Sequence, residues 1–433
     1  MSGVAIGLIA FVILFILLAF GYEIGFSMFL IGFGGAAMIV GVPAAGIKLA
    51  NIAFDTVSTY LLATLPLFML MANVCFASGI GSDLYNVARK WLGHYPGGIA
   101  IASVGACAGF AAVSASSIAT AVTMGLVALP EMKKLNYDPA LATGSVAAGG
   151  SMGALIPPSG MLIVYGILTE TSIGQLFMAG IIPGFLEALF YMIVIFGLCI
   201  WKPSLGPRGP KFSIKEKILS IGTCGETIAL IFLVLGGLII GWFTPTEAGA
   251  IGAFGAIVFA SIRRRLPWAK FKEALFETMK STGFIFCILM GAHVLNYFLA
   301  LTMIPYKLGE FVSSLPISPI LIMACICLVY LVLGCVMDAA AMITLSLPIF
   351  VPLIESIGYD KVFFGIIVVR AMEMALITPP IGVNVYVISG IAPDVPMETI
   401  FKGIFPFLAA DIVHVIMLLL FPAIALWLPS LLY

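Results

Sequence analysis

Two adjacent prolines, Pro157-Pro158, stand inside a long apolar stretch, and 222 residues later Pro379-Pro380 stands inside another. A proline pair removes two backbone donors and clashes with the preceding turn, so a membrane helix carrying one unwinds there. Unwound backbone at bilayer depth survives only where it is buried in protein or lines a polar cavity. The break frees the last carbonyls of one half-helix, which suit a cation. It also frees the first N–H groups of the next, which suit an anion. Gly153 lets backbone approach closely just before the first break, and Thr378 precedes the second. Ser159 and Asn384 add polar side chains just beyond the breaks. A plain proline kink would explain either one alone. A matched pair, one in each half of the chain, points instead to the ion and anion site of a transport protein.

Two further polar interruptions lie upstream of the breaks, one in each half. The apolar segment 97–129 is interrupted by Ser114, Ser116 and Ser117, and the segment 316–351 by Gly334 to Asp338. Hydroxyls and free carbonyls form an oxygen-only ligand set that suits Na⁺; close helix contact between small residues is the alternative. An aspartate at bilayer depth is expensive unless it is paired or faces water, so Asp338 is a binding candidate, with a helix N-cap as its competing role. Arg370 and Glu373 are three apart on the helix that runs into Thr378. They either neutralise each other or leave the guanidinium free to fork onto a substrate carboxylate. His293 with Asn296, and Asp411 with His414, read as helix-contact glue. The eight cysteines show no ligand spacing, so no transition metal is expected. No nucleotide-binding or hydrolase motif is present, which argues against an enzyme and against ATP as the energy source.

The elements that must hold these residues are membrane helices. The chain is 62% hydrophobic and 9% charged, too little charge to cover a soluble protein of 433 residues. With zero net charge it has no bulk attraction to nucleic acid. Apolar runs predict spans at 4–20, 24–40, 56–78, 139–168 and 176–201, then at 226–243, 247–262, 275–303, 361–391 and 400–428. The first run lacks a basic leader and a cleavage site, so it reads as a span. A shift of 222 residues aligns Phe54 with Phe276, Pro130 with Pro352, Tyr137-Asp138 with Tyr359-Asp360 and Gly160 with Gly382. Residues 1–205 and 218–433 therefore read as two repeats joined by a basic linker, 206–217.

The arms of 97–129 and 316–351 are only about 12–18 residues each, short for a crossing, so both segments read as re-entrant hairpins. An odd number of spans in each half inverts one repeat relative to the other. Of the 20 Lys and Arg, all except Lys48, Lys307, Lys361 and the intramembrane Arg370 then fall on one face, which is cytoplasmic.

The segments FAAVSASSIATA from Phe110, GALIPPS from Gly153, FTPTEA from Phe243 and LITPPIGVN from Leu376 resemble the large, DctM-like membrane subunit of the tripartite ATP-independent periplasmic (TRAP) transporters. The likeness runs over essentially the whole chain. It implies an all-α polytopic protein of the bacterial or archaeal cytoplasmic membrane: an inverted repeat with two re-entrant hairpins and two broken helices that works as an elevator. It implies sodium-driven import of a small organic anion such as a dicarboxylate, Na⁺ as the coupling ion, and no cofactor. The implied partners are a small four-helix membrane subunit and a periplasmic solute-binding protein. A stand-alone sodium/anion symporter of the same superfamily is the alternative. Carried onto this sequence, the sodium region falls on Ser114, Ser116, Ser117, Gly153, Pro157, Pro158, Gly334, Asp338, Thr378, Pro379 and Pro380, with Ser159, Arg370 and Asn384 toward substrate. Where Arg370 stands, the family often carries an uncharged residue.

Overall fold

Residues 3–334, 337–380 and 382–432 are described by the structure, a computed structural model. They form helices and no strand, and seven of the helices are long and apolar enough to cross a membrane. The protein is a multi-pass membrane protein. Cys335, Val336 and Ile381, which belong to the expected second tip and second break, lie outside the described residues.

Both proline pairs end a helix. Pro139–Ser151 passes through a 3₁₀ turn, Met152–Ala154, and the chain resumes as Gly160–Thr169. Lys361–Ile377 stops at Thr378 and resumes as Val383–Ile391. The two broken helices also start alike: Asp138 accepts from the N–H of Ala140 and Leu141, and Asp360 from those of Val362 and Phe363. Each cap satisfies donors that the first helical turn cannot use internally.

The two interrupted segments fold as helix, tip, helix. Hairpin 1 is Gly98–Ser114 followed by Ser117–Lys134, and hairpin 2 is Pro319–Leu333 followed by Ala339–Ser356. The returning arms run about a turn past the expected 129 and 351. Pro130, Pro348 and Pro352 are accommodated inside them.

Beside these elements stands a frame of further helices, of which Trp268–Thr302 is the longest. Ile24–Val40 lies along Trp268–Thr302, and Pro245–Ile262 along Thr64–Ser78. The first contact depends on glycine: a Cβ on Gly32 would sit 2.7 Å from the backbone nitrogen of Leu295, and one on Gly291 would collide with the Gly25 carbonyl. Backbones that approach this closely gain dispersion contacts without needing a hydrophobic drive, which lipid cannot supply.

Several elements differ from the sequence expectation, among them the short helices Ile80–Leu92 and Ile304–Ser314, which no expected span covers. Val42–Ser58 is a further helix, opened by Pro43 and buried only at Ala45, Ile52 and Thr56. It is too polar and one-sided to read as a crossing, and the span expected to start at 56 begins after it, at Tyr60. The segment expected at 226–243 belongs to a longer helical stretch, Ile214–Ile239, that widens to a π-turn at Phe232–Gly236. The last expected span divides into Met397–Leu420 and Ala423–Leu432, where Pro422 supplies no donor.

Candidate ion and substrate site

The tip of hairpin 1 sits in the first break. Ala115 turns the chain in the left-handed region, and the Ser116 hydroxyl caps the returning arm by accepting from the Ala119 N–H at 3.3 Å. Ser114 and Thr120 share a hydroxyl–hydroxyl bond of 2.7 Å, and Thr120 donates to the Ser116 carbonyl at 2.8 Å. The Gly160 N–H reaches the Ala115 carbonyl at 3.3 Å, tying the tip to the resumed half-helix. Gly153 makes the approach possible: a Cβ there would lie 2.5 Å from the Ser116 carbonyl oxygen and 2.9 Å from the Ser117 nitrogen. Ser159 is wholly buried and bridges the break itself. Its hydroxyl donates to the Ala154 carbonyl and accepts from the Leu162 N–H, so it serves the backbone across Pro157-Pro158.

Hairpin 2 meets the second break in a similar way. Asp338 caps the returning arm, accepting from the Ala341 N–H at 2.7 Å. A Cβ on Gly334 would collide with the Ala375 side chain, so this tip packs on the helix leading into Pro379-Pro380. Thr378 turns its hydroxyl back to the Met374 carbonyl at 2.6 Å. Asn384, buried just past the break, donates to the Ala147 carbonyl of the first broken helix at 3.3 Å, while its side-chain oxygen has no partner.

Both tips open on one cavity of about 840 Å³. On one side it is lined by Ser114–Ser117, by Asp338 and Ala339, and by the starts of the resumed half-helices at Gly160, Met161 and Val383. The frame lines the other side with Phe68 and Asn73 from Thr64–Ser78 and with Glu277, Lys280 and Ser281 from Trp268–Thr302. Asn73 also donates to Thr278 at 2.9 Å, joining these two frame helices. The half-helix starts present N–H groups and the positive ends of helix dipoles. Facing them, Lys280 supplies one positive charge against Glu23, Glu277 and Asp338. Lys280, Glu277, Asn73 and Glu23 are absent from the sequence-derived site. Lys280 and Glu277 lie near a helix start where charge reads as solvated surface.

Arg370 stands elsewhere. It is wholly buried, does not line the cavity, and spends its guanidinium on protein. Nε donates to His414 Nδ1 at 3.0 Å, Nη1 to Glu187 at 3.0 Å and to Glu373 at 3.1 Å, and Nη2 to Asp411. The expected pairing with Glu373 is one bond among four, which use four of the five guanidinium N–H donors on protein, and the group does not line the cavity. Glu187 was findable in principle, since a glutamate inside the apolar run 173–201 is itself a flag.

At the far end of hairpin 1, Lys133 pairs with Asp394 at 2.6 Å, linking the hairpin to the loop after the second broken helix. That bond holds the Asp394 carboxyl below its ordinary range. Both side chains are largely exposed, so the pair adds little stability.

Residues 11–424 match the family model described as the DctM component of the tripartite ATP-independent periplasmic transporters. The chain belongs to this family. It is 34% identical over 398 residues to a C4-dicarboxylate TRAP transporter large permease protein of Pseudomonas aeruginosa, covering 92% of each chain. A sialic acid TRAP transporter large permease protein of Vibrio cholerae is 29% identical, with 96% of each chain covered. An isethionate TRAP transporter permease of Oleidesulfovibrio alaskensis is 31% identical over 94% of this chain and 65% of its own length. Among solved structures, the Alcanivorax borkumensis YdaH transporter superposes with a TM-score of 0.65 at 15% identity, covering 88% of this chain and 89% of that one. At that identity the likeness speaks to the fold alone. This DctM-family chain is thus the large permease subunit of a TRAP transporter, a multi-pass protein of the cytoplasmic membrane.

Proposed function

We propose that this permease imports a small organic anion, a carboxylate, driven by Na⁺. The observation that carries the proposal is the single cavity shared by both hairpin tips and both half-helix starts. Its volume suits a small organic ligand. Helix N-termini and Lys280 are the chemistry that holds a carboxylate. Glu23, Glu277 and Asp338 outnumber Lys280 on the same walls, so an anion entering alone meets an excess of negative charge. Cations bound at the tips remove that excess, which is a physical reason for coupling. Hydroxyl and carbonyl oxygens around Ser114–Ser117 and Gly153, and around Gly334, Asp338 and Thr378, are the ligand type Na⁺ takes.

The cavity lies between two groups of elements. The hairpins and broken helices form one wall and the frame helices the other, as an elevator requires if the first group slides against the second. The repeated caps and breaks in the two halves support an inverted repeat about this site. The relatives' substrates, a C4-dicarboxylate, sialic acid and isethionate, are all organic acids. By the same family, a small four-helix membrane subunit and a periplasmic solute-binding protein are the partners.

The test is uptake into proteoliposomes containing this chain and the small subunit, with and without the binding protein and with and without an inward sodium gradient. Uptake is expected only with both. Uptake with sodium alone would make the chain a stand-alone symporter, and uptake indifferent to sodium would overturn the coupling.

A further inference from the structure

The cluster around Arg370 contains more acid than it can balance. Glu187 and Tyr191 come from Ile173–Trp201, Arg370 and Glu373 from Lys361–Ile377, and Asp411 and His414 from Met397–Leu420. All six side chains are wholly buried. Arg370 Nε donates to His414 Nδ1, so that nitrogen carries no hydrogen and the imidazole is neutral with its proton on Nε2. The cluster therefore sets one guanidinium against three carboxyls. Among the described residues, every salt bridge these side chains make lies within the cluster. Were all three acids ionised, two negative charges would stand uncompensated at zero exposure, where a neutral acid is far cheaper than its anion.

The geometry says which acids are surplus. Asp411 has Nη2 to itself. Glu187 and Glu373 converge on the same Nη1 at 3.0 and 3.1 Å, so their carboxyls are close neighbours and cannot both be charged cheaply. A second observation is independent of that count. Glu187 Oε2, Glu373 Oε1, Asp411 Oδ2 and the Tyr191 hydroxyl are buried and make no hydrogen bond of good geometry, although the hydroxyl lies within reach of the Glu187 and Asp411 carboxyls and Glu187 within reach of Glu373. These are the oxygens on which carboxyl protons would sit, or which would receive them.

We propose that the cluster is a proton-binding site holding two protons, one on Glu187 and one on Glu373, with Asp411 as the carboxylate that balances Arg370. A metal cation is the rival occupant. The guanidinium already fills the point on which the three carboxyls converge, and no His, Cys, Asp or Glu group among the described residues has the arrangement of a metal site. Glu187 belongs to the first half of the chain and Glu373 to the second. Loss of the Glu187 proton sets its charge against Asp411 across the seam between the halves, and loss of both protons sets it against Glu373 as well, so alkaline pH loosens the seam.

The experiment is infrared spectroscopy of the full-length protein in lipid nanodiscs at neutral pH, which separates protonated from ionised carboxyls without any uptake assay and so stands apart from the sodium reading. Wild type is expected to show a deuterium-sensitive band from protonated carboxyls. Glu187→Gln and Glu373→Gln are each expected to remove about half of it and the double variant all of it, while Asp411→Asn removes about half by leaving one glutamate to ionise against Arg370. Thermal unfolding against pH gives a second readout. Two protons held only in the folded state make the folding equilibrium fall about a hundredfold per pH unit above the range where free carboxyls titrate. The double amide variant is expected to flatten that dependence. No protonated-carboxyl band in wild type would overturn the proposal. So would sodium-dependent shifts in the bands of these three acids. If the amide variants fail to fold, the wild-type spectrum and its pH profile still decide.

Discussion

Gly153→Ala is the sharpest available probe of whether the hairpin 1 tip belongs to the sodium site. The added methyl would lie 2.5 Å from the Ser116 carbonyl oxygen, 2.7 Å from the Ser116 carbonyl carbon and 2.9 Å from the Ser117 nitrogen. All three are backbone atoms, so no rotamer change relieves the contact. A carbon normally stands at least about 3.3 Å from a carbonyl oxygen, so the tip must retreat by about 0.8 Å. Ion-ligand distances tolerate about 0.2 Å. The overpacking itself costs about 1–3 kcal/mol. The half-saturating sodium concentration for uptake should rise at least tenfold, equivalent to about 1.4 kcal/mol of binding. Two controls bracket the effect. At Gly160 the same methyl meets only the Ala115 carbonyl oxygen, at 3.1 Å, and at Gly197 it meets nothing within 4 Å. Gly160→Ala should shift the sodium requirement slightly and Gly197→Ala not at all. The assay is a sodium titration of uptake in proteoliposomes, normalised to inserted protein. A Gly153→Ala protein that inserts and keeps the wild-type sodium requirement would refute the tip as a sodium ligand.

Asp338→Ser keeps an acceptor for the Ala341 N–H but removes the charge, whereas Asp338→Ala removes both. Each should raise the sodium requirement, and only the alanine should lose the cap's stability of about 1 kcal/mol in thermal unfolding. Normal sodium dependence in the serine variant would reduce Asp338 to a cap. Lys280→Gln should raise the substrate concentration needed for half-maximal uptake by roughly tenfold or more, the loss of one charge-assisted bond, with the sodium requirement unchanged. An unaltered substrate titration would remove Lys280 from the anion site. Arg370→Ala strips three buried acids and His414 of their shared donor and should cost about 3–5 kcal/mol, seen as lost thermal stability and yield. The protein that does fold should keep the wild-type half-saturating substrate concentration; a stable variant with weakened substrate affinity would instead put the guanidinium on the substrate.

What could be read in the sequence is what short-range chemistry controls. Pro157-Pro158 and Pro379-Pro380 end their helices wherever those helices pack, because the missing donors and the ring clash are local. Asp138 and Asp360 start theirs because a carboxylate two or three residues upstream reaches the first free N–H groups. The serines at 114–117 and Asp338 mark tips because a polar turn interrupts an apolar run. Val42–Ser58 escaped that reading because a half-buried surface helix carries neither a full apolar run nor a strong break.

Burial of partners far apart in the chain was decided only by the tertiary structure. Sequence alone pairs Arg370 with Glu373, the acid one helical turn away. Packing brings Glu187, 183 residues distant, within 3.0 Å of the same guanidinium and turns the whole group away from the cavity. Likewise Lys280 and Glu277 become cavity walls only because Trp268–Thr302 lies opposite the two tips. A break or a cap follows from a few neighbouring residues. The identity of the groups that meet across it follows from how the helices pack, and helical periodicity carries no record of that.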